Sequence, residues 1–137
     1  MTRTAWTRVD ELRSADRTFH AAGMEVVAVD DDGVELSMLV REEMTNGAGI
    51  VHGGWIFLLA DTAFAYTATT QLPGALTTDA DIRFHRPANV GDRLSATARV
   101  VERARSTILV DVSITGENGE RVASLRAGGR AARQRSS

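Results

Sequence analysis

Cysteine is absent from this chain of 137 residues, which excludes a disulfide framework, a thiol nucleophile and any cysteine-ligated metal. Only His20, His52 and His85 remain as imidazole ligands, too few and too scattered for a zinc enzyme to be expected. Lysine is missing too, and all sixteen basic residues are arginine, a bias that genome base composition explains without a functional demand. A formal net charge of −2 removes the basic excess that a general nucleic-acid binder carries, so no nucleic-acid partner is expected. No apolar run reaches the length of a membrane helix, and the start Met-Thr-Arg-Thr-Ala-Trp lacks the apolar core of a signal peptide. Cytoplasmic residence without a membrane partner follows as the expectation. The length suits one domain over 1–129, able to bury about two-thirds of its unfolded surface.

Thr7 as an N-cap, Asp10 in the first turn and Val9, Leu12, Phe19 and Ala22 along one side predict an amphipathic helix over about 7–22, closed by Gly23. Residues 24–29 and 34–40 are β-rich, and Asp30-Asp31-Asp32-Gly33 between them makes a hairpin. Its spacing fits no calcium loop, so the aspartates are read as a solvated turn. A helix apolar on nearly every side is predicted over about 53–70, ended by Pro73-Gly74. Four strands follow, at 76–86, 93–103, 107–115 and 121–127, separated by turn signals such as Asn118-Gly119. Alternation at Ile108, Val110, Val112 and Ile114 gives the sheet one dry face. The expected class is α+β, with the long helix wrapped by a five- or six-stranded antiparallel sheet, the hotdog arrangement. Residues 130–137, rich in Arg and Ser, are expected to be a disordered tail.

Within the central helix stands one acid, Asp61, amid Leu59-Ala60 and Ala63-Phe64-Ala65. A carboxylate buried there is costly unless it is paired, hydrogen-bonded or catalytic. The same helix begins at His52-Gly53-Gly54, where unpaired N–H groups and the helix dipole favour an oxyanion.

Asn46, Gly49-Ile50-Val51-His52-Gly53-Gly54 and Leu59-Ala60-Asp61-Thr62-Ala63-Phe64-Ala65-Tyr66 resemble, nearly residue for residue, the phenylacetic-acid-degradation (PaaI-type) acyl-CoA thioesterase branch of the hotdog superfamily. Phe84-His85-Arg86-Pro87 and Gly91-Asp92-Arg93-Leu94 are similar to it as well, and the likeness spans about 15–130. The resemblance implies hydrolysis of acyl-CoA thioesters, often aryl-acetyl ones, with no metal or organic cofactor. Ala65 stands where relatives carrying Glu at position 61 often place a polar residue, which favours the phenylacetyl over the hydroxybenzoyl type.

Thioester hydrolysis builds charge on the carbonyl oxygen and needs a donor there and a base or nucleophile nearby. The Gly53 N–H and the Asp61 carboxylate fit those roles, and His52 and Asn46 would hold the loop or touch the substrate. Asp61 can attack the thioester to give an anhydride or deprotonate a water; the sequence does not choose, and general base is preferred. Gly53 and Asp61 are eight residues apart, about 12 Å along a helix and about 80° around it, so one carbonyl cannot reach both in one chain. A homodimer with antiparallel helices, Gly53 of one subunit facing Asp61 of the other, is the expected minimum. The resemblance implies a homotetramer, a dimer of dimers.

Further substrate contacts are expected from Gly54, Thr62 and Phe84, and CoA phosphates from Arg86, Arg103 and Arg105 at strand ends and turns. Thr62 hydrogen-bonds either near the carboxylate or back to its own helix. Asp79, Asp81, Arg83 and His85 alternate as a polar dimer seam or an ordinary wet face. For His20 and His85 the structural reading outweighs catalysis, and Trp55, Phe64 and Tyr66 read as packing residues, with one open to lining an acyl pocket. Two other functions stay in view. A non-catalytic acyl-CoA sensor would not need Asp61, and a hydratase would need an acid and histidine spacing that is not found.

Overall fold

The computed structural model describes residues 3–131. Its N-terminal segment is two helices, α1 (Arg3–Ala15) and α2 (Arg17–Ala21), rather than the single one expected, and Thr7 lies inside α1 instead of capping it. Asp16 makes the break. Its backbone is extended (φ −88°, ψ 95°) and its Oδ1 accepts from the Phe19 N–H at 3.0 Å, so the short acid ends one helix by starting another. Its other oxygen accepts from the Tyr66 hydroxyl at 2.8 Å, while the Phe19 and Tyr66 rings stack with centroids 5.6 Å apart.

Tyr66 is 2% exposed, and burial, followed by the Asp16 hydrogen bond, pushes its pKa far above the ordinary value. The phenol therefore keeps its proton in the fold at pH values where an unfolded tyrosine ionises, above about 10. The stability linked to this proton is fully present at neutral pH and is lost as the pH rises through the alkaline range. Tyr66→Phe should cost about 1 kcal/mol at neutral pH and flatten the alkaline fall in thermal midpoint. Melting curves across pH 7 to 11 check both.

Six antiparallel strands follow: β1 (Met24–Val29), β2 (Val34–Leu39), β3 (Ala75–Phe84), β4 (Arg93–Arg103), β5 (Thr107–Thr115) and β6 (Arg121–Ala131). Their order is β1-β2-β4-β5-β6-β3, so β3 lies at an edge although it comes third in the chain. The β1–β2 turn is tied by Asp30 Oδ1, which accepts from the N–H groups of Asp32 and Gly33. Gly33 is obligatory there, because a Cβ would lie 1.7 Å from the Ala98 carbonyl oxygen of β4. Arg130 and Ala131 are ordered strand residues, paired with Leu76 and Ala75, which corrects the expected start of the tail. The rest of that tail, 132–137, lies outside the described residues.

α3 (Gly53–Gln71) crosses the concave face of the sheet. Ile108, Val110, Val112 and Ile114 of β5 are at most 3% exposed beneath it, and Ala96, Ala98, Ala123, Ala127 and Gly129 leave room for its large side chains. A Cβ on Gly129 would come within 2.9 Å of the Phe64 ring. α1 covers a second side of α3, with Ala5 and Val9 buried and Arg8 donating to the Thr70 carbonyl at 2.8 Å. The wrapping is incomplete, since Trp55, Phe57, Leu58, Asp61, Thr62 and Ala65 stay half-buried. No helix among the described residues is long and apolar enough to cross a membrane.

Candidate active site

The N-terminus of α3 is delivered by a loop pinned on two sides. Thr45 and Val51 form a bridge, the His52 N–H donates to the Met44 carbonyl at 2.8 Å, and the Val51 N–H donates to the Ala88 carbonyl at 2.9 Å. Asn46 organises the turn between them. Its Oδ1 accepts from the Ala48 N–H at 2.9 Å and the Ile50 N–H at 3.4 Å, and its own N–H donates to Ile50. Gly49 turns the chain at φ +80°, a conformation that favours glycine.

His52 is the N-cap. Its Nδ1 accepts from the Gly54 N–H at 2.9 Å, which leaves the ring proton of the neutral tautomer on Nε2. Gly54 permits this contact, for a Cβ there would sit 3.1 Å from Nδ1. The capping histidine uses the second helical N–H, and the Trp55 N–H returns to the His52 carbonyl at 3.0 Å. The Gly53 N–H makes no hydrogen bond among the described residues and stands at the positive end of a 19-residue helix. The Phe84 ring of β3 lies over Gly53, 3.2 Å from where a Cβ would be.

Asp61 sits two turns further along, on the same side of α3. It is half-buried rather than enclosed by core, which corrects the expectation of a buried carboxylate. The helix is apolar all round in sequence, but β3, the strand this side faces, is an edge strand. The Thr77 hydroxyl of β3 donates to Asp61 Oδ1 at 3.1 Å, a partner that sequence reasoning missed. α3 and β3 thus run in opposite directions, Gly53 level with Phe84 and Asp61 level with Thr77.

The remaining candidates separate. Thr62 takes the second of its two fates, donating to the Leu58 carbonyl at 2.7 Å. Phe64 and Tyr66 are core, whereas Trp55 and Leu58 with His52 and Gly54 line an open cavity of about 380 Å³ at the N-terminal end of α3. Arg86 is exposed in the loop next to Ala88, at the Gly53 end of the molecule. Arg103 and Arg105 lie at the opposite end, because the Ala131 N–H donates to Ser106 while Ala131 pairs with Ala75, just past the C-terminus of α3. One protomer does not bring all three arginines together.

Asp79, Asp81 and Arg83 are exposed on β3, and His85 is exposed just beyond its C-terminal end. His85 bonds Ser124 at 2.9 Å, and Asp81 is in register with Arg126. Arg126 grips Asp111 in a bidentate pair at 2.7 and 2.9 Å, which holds the Asp111 carboxyl below its usual range. His20 packs edge-on against Phe19. Among the described residues no cluster of three potential ligands is arranged to hold a metal.

Comparison with known proteins adds an independent line. Residues 48–123 match the family model of the thioesterase superfamily. The acyl-coenzyme A thioesterase PaaI of Escherichia coli (strain K12) is 34% identical over 126 residues, covering 92% of this chain and 90% of that protein. The solved structure of the E. coli PaaI protein from the phenylacetic acid degradation operon superposes with a TM-score of 0.92 at 32% identity, over 95% of this chain and 94% of that one. A Streptococcus mutans UA159 protein solved bound to acetyl CoA superposes with a TM-score of 0.76 at 26% identity, over 82% and 91% of the two chains.

Proposed function

The chain belongs to the thioesterase superfamily, in its PaaI-type acyl-CoA thioesterase branch with the hotdog fold, and from that premise we propose that it hydrolyses aryl-acetyl-CoA or medium acyl-CoA thioesters to free acid and CoA. Phenylacetyl and hydroxyphenylacetyl groups are the aryl-acetyl substrates meant. One observation carries this reading: an unpaired N–H at Gly53 and a carboxylate at Asp61 line one side of a single helix, against a strand whose outer edge is open.

An open edge with Leu76 66% and Phe84 53% exposed is a pairing surface. With Thr78 taken up by the register break between Thr77 and Asp79, a two-fold axis at Asp81 sets β3 antiparallel to its copy, Ala80 opposite Ile82 and Thr77 of each subunit opposite Phe84 of the other. Gly53 is level with Phe84 and Asp61 with Thr77, so the same rotation carries each Asp61 toward the other subunit's Gly53. Each dimer then has two composite sites. The pairing of dimers into a tetramer rests on the resemblance.

In each site the Gly53 N–H receives the carbonyl oxygen as it becomes an oxyanion, with the helix dipole behind it. The partner's Asp61 takes a proton from water, hydroxide adds to the carbonyl carbon, and collapse expels the CoA thiolate, which is then protonated. Direct attack by the carboxylate would instead give an anhydride that water opens. His52 and Asn46 act by holding the loop, and the acyl group lies in the cavity against Trp55 and Leu58. Arg86 is available to the CoA phosphates from the Gly53 side, and Arg103 and Arg105 reach them from the partner.

Release of CoA from phenylacetyl, hydroxyphenylacetyl, benzoyl and straight-chain thioesters tests the reading. The aryl-acetyl substrates are expected to give the highest kcat/KM. Tight binding of a thioester with no turnover of any would establish a sensor instead.

A further inference from the structure

The inner and outer faces of β3 are set by strict alternation from its C-terminal end. Phe84 faces inward onto Gly53 of α3, and by the two-residue period Ile82 and Ala80 face inward with it. Asp79 faces outward, its Oδ1 2.6 Å from where a Cβ of Gly128 would be. Continued without interruption, that period would turn Thr77 outward beside Asp79, away from α3. The register does not continue. Asp79 pairs with Gly128 and Thr77 with the next residue, Gly129, so Thr78 is an extra residue without a partner on β6. This is a β-bulge, and one inserted residue moves every side chain before it to the other face. Thr77 therefore shares the inner face with Gly129, whose missing Cβ would touch the Phe64 ring of α3. There its hydroxyl meets Asp61. The bulge is itself tied down, since the Thr78 hydroxyl donates to Asp79 Oδ1 at 2.9 Å on the outer face.

We propose that Thr77 is a positioning residue for Asp61, and that the bulge at Thr78 is the device that aims it. The inference rests on the reading of Asp61 as the acid that acts on the thioester. A half-buried aspartate on a helix has two free torsions and no fixed direction. A β-branched residue on a paired strand is stiff at χ1, so its hydroxyl holds one carboxylate oxygen and leaves the other for water or the thioester carbon. The choice of a hydroxyl matters as well. Among the described residues no arginine pairs with Asp61, so the carboxylate is held without being neutralised.

Thr77→Val removes the hydroxyl and keeps the shape. On whichever thioester the wild type cleaves, it is expected to lower kcat about tenfold, the scale of one hydrogen bond to a charged group, with KM changed less than about twofold. Thr77→Ser should restore kcat to within about twofold, because the donor returns without the methyl. In an Asp61→Asn background, Thr77→Val should change the residual rate by less than about twofold. Wild-type kcat in Thr77→Val, or the same tenfold loss with Asp61 already replaced, would overturn the proposal. Failure of the underlying reading looks different, because Asp61→Asn would then turn over at the wild-type rate.

Discussion

Replacing Asp61 by Asn is expected to lower kcat by about 10²- to 10⁴-fold, the range associated with loss of a positioned general base, while KM stays within about threefold. The substitution is nearly isosteric, and the Asn carbonyl oxygen can still accept from Thr77 in place of Oδ1. Asp61 is half-buried and has no ion-pair partner among the described residues, so the fold should barely register the change. What disappears is the charge and the basicity. Steady-state kinetics beside a thermal melt separate the two effects, and a variant with unaltered turnover would remove Asp61 from the mechanism. The wild type also answers how the carboxylate works. Under single-turnover conditions in isotopically labelled water, a general base sends the label into the acid product only. Label in the Asp61 carboxylate would establish the anhydride route.

The parts of the fold legible in the sequence were those governed by short-range period. Alternation placed β5 where it is found, and the His-Gly-Gly start with Pro73-Gly74 bounded α3 to within a residue. What periodicity could not see was a side chain reaching across the chain. Asp16 looks like any polar residue in a helix until Tyr66, fifty residues later, takes one of its oxygens and the other caps a new helix. The burial of Asp61 was misjudged for a related reason. Apolar neighbours on α3 say that the helix is wrapped, but the edge position of β3, which leaves that side half open, is a property of strand order.

Much the same division holds at the site. Gly53 and Asp61 were identifiable because their chemistry is local, a helix start and an acid among apolar residues. Thr77 was hidden because a bulge has no strong sequence signature, and simple alternation through Thr78 assigns Thr77 to the wrong face. The paired glycines at 128 and 129 were the available hint, since glycine inside a strand often marks a bulge or a close approach. The arginines illustrate the converse error. Arg86, Arg103 and Arg105 all sit at strand ends, but strand ends belong to two opposite poles of the sheet, and only the topology says which.

Gly53→Pro is expected to reduce kcat/KM by about 10²- to 10³-fold, the usual loss when one oxyanion donor is removed. Proline deletes the N–H and nothing else that the helix needs. Gly53 is the first residue of α3, where proline is well tolerated because its nitrogen would have no intrahelical acceptor. His52 already has φ −63° and ψ 132°, the extended conformation that a residue before proline prefers. The added ring atoms press on Phe84, but that side chain is 53% exposed and free to move aside. Gly53→Ala makes the same contact and keeps the N–H, so its loss should be less than about tenfold, and the gap between the two variants measures the donor. The two inactive variants then test the shared site. In a dimer of one Gly53→Pro and one Asp61→Asn subunit, one site carries both defects and the other carries neither. Random reassociation of an equal mixture should therefore recover about a quarter of wild-type activity from two nearly dead proteins. If each subunit worked alone with its own Gly53 and Asp61, every site in the mixture would carry a defect, and reassociation would restore nothing.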